Sequence, residues 1–213
     1  MGGRKTDIQL VIFDMDGVIF EGRNFWLDLH RRFGTEREAL ELARRSLRSD
    51  YEGLARHTVE RLWKGRPAEP LLQLVAARRY QPGVVELCRF LRAERLKTAI
   101  VSSGPIQLAE RAQRDLGFDE VRANRVLIED GRIAGAVDVG VSDNGKAPVG
   151  LDVIAKLGST PVRTAFIGDS ESDAALAAVV ALPVAYDSDS DDLDRAAKHH
   201  LRHGDLAKLV EMI

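Results

Sequence analysis

The sequence predicts an α/β fold, in which a Rossmann-like, doubly wound parallel sheet carries an inserted α-helical cap domain. Four short apolar runs have the length of buried strands, at residues 8–13, 97–102, 162–167 and 182–186. Helical patterns separate these runs, and strands that alternate with helices form parallel sheets covered on both faces. Residues 20–80 break this alternation, because they contain helical patterns and no convincing strand. We therefore expect two domains.

The cap is expected at residues 20–80, directly after the first strand. Its amphipathic helical stretches lie at residues 25–33, 36–47 and 51–63. Pro82 and Gly83 mark the return to the core, because these residues punctuate helices and strands. Residues 1–19 and 81–213 then form the core domain.

The core continues as an alternation of strands and helices. Its helical patterns lie at about 83–95, 105–116, 147–157, 171–179 and 205–212. A β-hairpin is expected between residues 124 and 139, because Asp130-Gly131 separates two apolar runs there.

Four cap aromatics leave two interpretations open. Phe25, Trp26, Tyr51 and Trp63 either line a substrate pocket under the cap or form the cap's own small core. The pattern alone does not separate these alternatives.

Composition narrows the class of protein. With 31 basic and 33 acidic residues in 213, the charge is nearly balanced, which gives no indication of a nucleic-acid or membrane surface. The single cysteine, Cys88, excludes an intrachain disulfide and suits a reducing compartment. No apolar stretch is long enough to span a bilayer. We expect a cytoplasmic protein.

The first apolar run ends in two carboxylates one residue apart, Asp14 and Asp16, followed by Gly17. In open α/β sheets, ligands bind just beyond the carboxyl ends of the strands, which is where these acids fall. An isolated pattern of this kind is weak evidence, since Asp and Gly are ordinary turn residues. The evidence for a site becomes stronger because other candidate site residues also follow apolar runs.

The second run ends at Ser102, Ser103 and Gly104, just before a helical pattern. A hydroxyl and free backbone N–H groups at a helix N-terminus can cradle a phosphate. The alternative is that one of the serines only caps the helix.

Two further stretches supply charge. Lys146 lies between the hairpin and a helical pattern, where a lysine is often a solvated surface charge. The third run ends at Gly168 and delivers Asp169 and Asp173 to the same edge of the sheet. Asp169 is alternatively the N-cap of the following helix.

Together these groups match a magnesium phosphotransfer site. Carboxylates from two strand ends suit a hard cation such as Mg²⁺, and Mn²⁺ accepts the same oxygen ligands. One carboxylate can attack phosphorus and form an aspartyl-phosphate, while its neighbour protonates the leaving oxygen. No P-loop, serine elbow or dinucleotide glycine fingerprint competes with this interpretation.

At this point the chain resembles the haloacid dehalogenase superfamily, and within it the phosphoserine phosphatase-like branch. The four motifs of the superfamily occur in order: Asp14-Met-Asp-Gly-Val, Ser102 at the end of its strand, Lys146, and Gly168-Asp-Ser-Glu-Ser-Asp173. The stretch from Val121 to Gly135 also resembles the hairpin that this branch carries before its lysine.

The resemblance implies a role for each core residue. Asp14 is the expected nucleophile and a metal ligand. Asp16 is the expected general acid and base, with its backbone carbonyl on the metal. Ser102 is expected to bind the phosphoryl oxygens, together with the N–H groups near Ser103 and Gly104.

The same resemblance assigns the remaining charges. Lys146 is expected to stabilise the nucleophile and the bound phosphate. Asp169 is expected to bind Mg²⁺ directly, and Asp173 to support the metal site or the lysine.

The cap departs from the pattern of true phosphoserine phosphatases. These enzymes have an acidic cap residue that holds the substrate's ammonium group and an arginine that holds its carboxylate. Glu21 and Arg56 are the candidates here, although Arg23 beside Glu21 would repel an ammonium group and Arg56 falls about two residues from the expected position. Specificity for phosphoserine therefore does not follow.

We expect a magnesium-dependent phosphatase that acts on a small phosphorylated metabolite, phosphoserine or a related compound. A phosphotransferase that passes the phosphoryl group to an alcohol is one alternative. A non-catalytic protein that senses a phosphorylated ligand is another.

Overall fold

The computed structural model describes residues 6–213, so residues 1–5 of the predicted core lie outside the described part. Its strands are β1 (Leu10–Phe13), β2 (Lys97–Pro105), β3 (Glu120–Glu129), β4 (Arg132–Asp138), β5 (Thr164–Gly168), β6 (Leu182–Tyr186) and β7 (His199–Leu201). They form a seven-stranded sheet in the order β4-β3-β2-β1-β5-β6-β7. All neighbours are parallel except β3 and β4, which form the predicted hairpin. The α/β fold class is confirmed.

Helices cover both faces of this sheet. They are α1 (Phe25–Phe33), α2 (Glu36–Ser46), α3 (Tyr51–His57), α4 (Glu69–Ala77), α5 (Val84–Ala93), α6 (Ile106–Leu116), α7 (Lys146–Lys156), α8 (Ala174–Ala177) and α9 (Asp191–Ala196). Helices α1 to α4 follow β1 and occupy the region expected to be the cap. A π-helical turn at Thr58–Trp63 continues α3, so the predicted stretch 51–63 is helical throughout.

The central strand β1 shows why the sheet is covered twice. Side chains alternate between the two faces of a strand. Val11 and Phe13 belong to an apolar cluster on one face, while Leu10 and Ile12 belong to a second cluster on the other, and all four are fully buried. Each such side chain contributes about 1.5–3 kcal/mol of burial free energy.

Two segments connect the cap region to the sheet, and they run side by side. The backbone N–H of Glu21 donates to the carbonyl of Arg79, and the N–H of Gln81 donates to the carbonyl of Ile19, each at 2.9 Å. The chain therefore leaves the sheet and returns to it at one place.

Two helical predictions are shorter in the structure. Residues 171–179 form a 3-10 turn at Glu171–Asp173 and then the short helix α8. The stretch 205–212 forms a 3-10 turn at Leu206–Glu211. In the first case the carboxylate of Asp173 turns back to the end of β5, so a regular helix begins only after it.

Strands β2, β1 and β5 are neighbours, and their carboxyl ends lie at one edge of the sheet. This order brings the residues that follow them together, although they are far apart in sequence. Lys146 begins α7 beside them.

Candidate active site

Asp14 follows β1 and is fixed by both its backbone and its side chain. Its N–H donates to the carbonyl of Ile167 in β5 at 2.9 Å, and its Oδ1 accepts a hydrogen bond from Lys146 Nζ at 2.7 Å. Only 4% of Asp14 is exposed. Burial raises the pKa of its carboxyl group, and the adjacent Lys146 acts in the opposite direction.

Lys146 is the buried cation of the site, with 2% of its surface exposed. Its Nζ also donates to Asp173 Oδ1 at 2.6 Å, so the ammonium group lies between two carboxylates. Burial would lower the pKa of Lys146, but the charges of Asp14 and Asp173 outweigh it and raise that pKa. Lys146 is therefore a buried, paired charge and not the solvated surface lysine of the alternative interpretation.

Asp173 positions this lysine and organises the loop after β5. Its Oδ2 accepts hydrogen bonds from the N–H groups of Asp169 and Ser170, each at 3.0 Å, and from the hydroxyl of Ser170. A Cβ at Gly168 would lie 2.5 Å from the Cβ of Asp173, so only glycine permits this approach. Protein groups already contact both oxygens of Asp173, which agrees with the supporting role predicted for it.

Asp169 is the carboxylate without a counter-charge of its own. It is 5% exposed, and among residues 6–213 no hydrogen bond to its carboxylate is found. Burial, followed by the charges of Asp14 and Asp173, raises its pKa to about 9. Oxygens of Asp14, Asp169 and Asp173 all lie within 4.8 Å of one another. Buried carboxylates of this kind are paired or bind metal, so the donor set fits a divalent cation that prefers oxygen.

Gly17 packs directly against this carboxylate. Its φ is +81°, and a Cβ there would lie 2.1 Å from Asp169 Oδ2. The close approach of the Asp169 carboxylate therefore explains why a glycine follows the two acids, which the turn pattern of the sequence did not reveal.

Asp16 lies on the other side of Asp14, towards α1. Its Oδ2 accepts a hydrogen bond from the N–H of Phe25 at 2.9 Å, while its Oδ1 is buried with no partner among the described residues. Burial is the largest cause that raises the pKa of Asp16. A carboxyl group in this environment holds a proton more readily than an ordinary aspartate does.

Ser102, Ser103 and Gly104 lie beside Asp16 in the last part of β2, where the pairing with β3 is irregular, so the strand extends beyond the predicted end at Ser102. We call this segment the phosphate loop, after the role predicted for it. The N–H of Gly104 donates to Ser102 Oγ at 3.2 Å. A Cβ at Gly104 would contact the methyl group of Met15 at 2.4 Å and approach Asp16 Oδ2 at 3.7 Å. The loop therefore reaches the first motif closely enough to share a ligand with it. Neither serine caps α6 with its side chain, so the capping alternative fails.

Asn124 is a residue of this site that the sequence did not indicate. Its Nδ2 lies 2.8 Å from the carbonyl of Ser103 and 2.9 Å from that of Val141, and its Oδ1 accepts from the N–H of Val141. It thus joins the phosphate loop to the segment that leads to Lys146. Asn124 is one of several polar residues in β3, so the sequence offered nothing that distinguished it.

The structure does not bring the two predicted cap residues to these groups. Arg56 is exposed and pairs with Glu52 at 2.5 Å within α3. Glu21 pairs with Arg79 at 2.6 Å and lines a polar cavity that reaches Asp169. Their assignment as substrate-binding residues stays a prediction.

The cap aromatics divide between the two interpretations. Phe25 and Trp63 are fully buried in the main apolar cluster. Trp26 Nε1 and the Tyr51 hydroxyl instead donate to the carbonyl of Ser103, at 2.8 and 3.2 Å. Part of the set is core, and part of it contacts the phosphate loop.

Comparison with known proteins defines the class to which this fold and site belong. The chain matches the haloacid dehalogenase-like hydrolases over residues 11–178, and it belongs to that family. The resemblance stated from the sequence is therefore confirmed.

Relatives narrow the comparison within that family. A phosphoserine phosphatase from Archaeoglobus fulgidus is 28% identical over 184 residues, which is 84% of this chain and 53% of that protein. A phosphoserine phosphatase from Albidiferax ferrireducens is also 28% identical, over 98% of this chain and 91% of that protein. The chain thus spans about half of the first relative and nearly all of the second.

Solved structures agree on the fold. A phospho-aspartyl intermediate analogue of phosphoserine phosphatase has a TM-score of 0.82, with 22% identity, over 97% of this chain and 99% of that one. A substrate-bound phosphoserine phosphatase complex gives the same score and identity.

Within residues 6–213, no helix has the length and apolarity that a membrane crossing requires.

Proposed function

We propose that the chain is a magnesium-dependent phosphatase that hydrolyses a small phosphomonoester through an aspartyl-phosphate on Asp14. Membership of the hydrolase family and the relatives described as phosphoserine phosphatases support the class of enzyme. The observation that carries the proposal is the buried Lys146 ammonium between Asp14 and Asp173, with the unpaired carboxylate of Asp169 beside them.

The first half-reaction uses the two acids of the first motif. An oxygen of Asp14 attacks phosphorus, the ester P–O bond breaks, and Asp16 gives its proton to the leaving alcohol oxygen. Lys146, the Ser102 hydroxyl and the N–H groups near Ser103 and Gly104 offset the charge of the transferring phosphoryl group.

The second half-reaction regenerates the nucleophile. Asp16, now ionised, removes a proton from water, and this water attacks phosphorus in the aspartyl-phosphate. The bond between phosphorus and the Asp14 oxygen breaks, and inorganic phosphate is released. Asp16 recovers its proton, so the two carboxylates return to their starting states.

The residues that would hold Mg²⁺ are Asp14, Asp169 and the backbone carbonyl of Asp16, with Asp173 in support. Mn²⁺ suits the same oxygens. The bound cation would neutralise the buried carboxylates and polarise a phosphoryl oxygen. The excess of buried negative charge over the single Lys146 supports this assignment.

The wider setting follows from the same proposal. The partner is a small phosphorylated metabolite, and the cap at residues 20–80 closes over the core of residues 1–19 and 81–213 to exclude water. The nearly balanced charge and the single cysteine support a cytoplasmic location, with no nucleic-acid or membrane partner.

Phosphate release from a panel of phosphomonoesters tests the proposal, with Mg²⁺ present or chelated. We expect metal-dependent release that Asp14→Asn abolishes while its circular dichroism stays unchanged. Asp152→Asn, at a side chain that is 69% exposed, is the matched control and should keep full activity. Retained activity in Asp14→Asn would overturn the assignment. Product formation that requires an added alcohol would instead indicate a phosphotransferase.

A further inference from the structure

A cavity between the cap helices and the β3–β4 hairpin adjoins the phosphate loop. Its volume is about 180 Å³, and we call it the cap cavity. Its wall includes Trp26, Leu40, Leu47, Tyr51, Leu54 and Val137. Among residues 6–213, no aspartate, glutamate, lysine or arginine side chain contributes to this wall.

The one titratable nitrogen base in the wall is His30, which contacts the hydroxyl of Thr35. Burial lowers the pKa of His30 to about 4, so the ring is neutral at physiological pH. The cap cavity therefore offers apolar surface and a few neutral polar groups, but no full charge.

The cap cavity meets the phosphate loop at the carbonyl of Ser103. Three groups of its wall donate hydrogen bonds to this carbonyl: Trp26 Nε1, the Tyr51 hydroxyl and Asn124 Nδ2. A phosphoryl group held by the loop thus lies next to the cavity.

The proposed general acid does not line the cap cavity, but a hydrogen bond joins it to the segment of α1 that does. Asp16 accepts its hydrogen bond from Phe25, the residue between Asn24 and Trp26, and both of these line the cap cavity. The acid must reach the leaving oxygen, so the leaving group extends towards this part of α1.

A second, polar cavity of about 360 Å³ adjoins Asp169 on the metal side of the site. Apart from Asp169, which is assigned to the metal, its acidic and basic side chains are already paired, because Glu21 contacts Arg79, and Arg23 contacts Asp187 and Asp189. It therefore offers no free pair of charges for the ammonium and carboxylate of an amino acid.

We propose that the substrate's leaving group is uncharged and mainly apolar, about the size of one aromatic ring, and that it occupies the cap cavity. The inference rests on the proposed phosphatase function. An apolar cavity of about 150 Å³ is large enough to bind benzene. A zwitterionic leaving group would bury two charges without partners, which is costly. The chain would then prefer phosphate esters of apolar alcohols to phosphoserine.

Turnover of matched esters measures this preference. The values of kcat/KM are compared for 2-phenylethyl phosphate, methyl phosphate and O-phosphoserine, which are all esters of primary alcohols or methanol. We expect 2-phenylethyl phosphate to exceed phosphoserine by tenfold or more. A preference for phosphoserine would overturn the inference.

Two variants locate the preference in the cap cavity. Leu54→Asp places a charge in its wall, and Ala43→Phe fills part of it. Each should reduce the ratio of kcat/KM for 2-phenylethyl phosphate to that for methyl phosphate by tenfold or more. Leu72→Asp, at a leucine that is 48% exposed and outside the cavity, should leave the ratio unchanged. An unchanged ratio in both cavity variants would contradict the proposed location.

Binding without turnover separates the inference from the proposed function. Calorimetric titrations use 2-phenylethylphosphonate and the phosphonate analogue of phosphoserine, with Mg²⁺ present. Tighter binding of the phenylethyl compound supports the apolar site even if no ester is hydrolysed. The absence of hydrolysis would then contradict the phosphatase proposal alone. Equal or weaker binding contradicts the apolar leaving group alone.

Discussion

At the scale of single residues, the site depends on one buried cation between two acids. Lys146 contacts Asp14 and Asp173 at 2.7 and 2.6 Å, and all three side chains are at most 6% exposed. In such surroundings water screens charge poorly, so each interaction is stronger than at the surface. The lysine thereby holds the proposed nucleophile in one orientation.

Replacing this cation should impair catalysis severely. Lys146→Met keeps the length of the side chain and removes the charge that offsets the phosphoryl group. Loss of one preorganised group of this kind lowers kcat by about 10²–10³-fold. Phosphate release measures the loss, and circular dichroism checks that the variant folds. Lys156→Met, at a half-exposed lysine on the same helix, is the control. Activity within tenfold of the wild type would show that Lys146 has no direct role.

His30 should make the stability of the fold depend on pH. Its pKa is about 4 in the folded protein and about 6.5 in an unfolded chain, so the unfolded chain binds more protons between these values. The contribution of the neutral His30 to the free energy of unfolding is therefore fully present above about pH 6.5. It is lost as the pH decreases towards 4, which lowers the free energy of unfolding by up to about 3 kcal/mol.

Urea denaturation at several pH values between 4 and 8 measures this dependence. His30→Gln should lose less stability than the wild type over the acidic half of the range. His57→Gln, at an exposed histidine, should follow the wild type. Parallel curves for the wild type and His30→Gln would contradict the assignment.

The residue pattern predicted the acids, and the family resemblance placed Lys146 beside the nucleophile, but neither predicted the ion pairs of the cap residues. Asp14, Asp16 and Asp169 were found because each follows an apolar run at a strand end. The ion pairs of Glu21 and Arg56 depend on which side chains lie nearby in space, and no local pattern encodes that. The same reason explains why Asn124 carried no signal.

At the scale of elements, the sequence predicted best where packing decides alone. The runs that form β1, β5 and β6 are fully buried, and burial in the centre of the sheet requires the apolar composition by which they were predicted. The helix expected after β5 is different. There the hydrogen bonds of Asp173 hold the chain in a 3-10 turn, and side-chain bonding of this kind overrides the helical pattern.

Asn124 joins three elements, and its loss should destabilise the fold. Asn124→Leu keeps the approximate volume and leaves the N–H and carbonyl of Val141 without their partner. Each buried polar group left unpaired costs about 1–3 kcal/mol. We expect the free energy of unfolding, measured in urea, to fall by about 2–4 kcal/mol. Gln73→Leu, at an exposed position on α4, should change it by less than about 0.5 kcal/mol. Equal effects of the two substitutions would contradict the bridging role.

At the scale of the whole molecule, ion pairs connect the region predicted to be the cap with the core. Arg48, just after α2, contacts Glu171 after β5 at 2.6 Å, and Arg23 contacts Asp189 at 2.8 Å. The carbonyl of Arg48 also accepts a hydrogen bond from Asn144. These pairs are exposed, so each contributes at most about 1 kcal/mol. They are too weak to hold the fold together, but they are strong enough to shift the equilibrium of the cap closure that we propose.

Removing one such pair should therefore alter substrate binding more than stability. A change of 1 kcal/mol shifts an equilibrium about fivefold, and apparent affinity falls with the population of the competent form. We expect Arg48→Ala to raise KM by up to about fivefold and to speed amide hydrogen exchange in α1 to α3, while exchange in β1 and β5 stays unchanged. Arg56→Ala removes the same charge from a pair that lies within α3, and it should change neither quantity. An increase in KM for Arg56→Ala would instead support the direct substrate contact predicted from the sequence. Unchanged exchange in Arg48→Ala would show that the ion pair does not control closure.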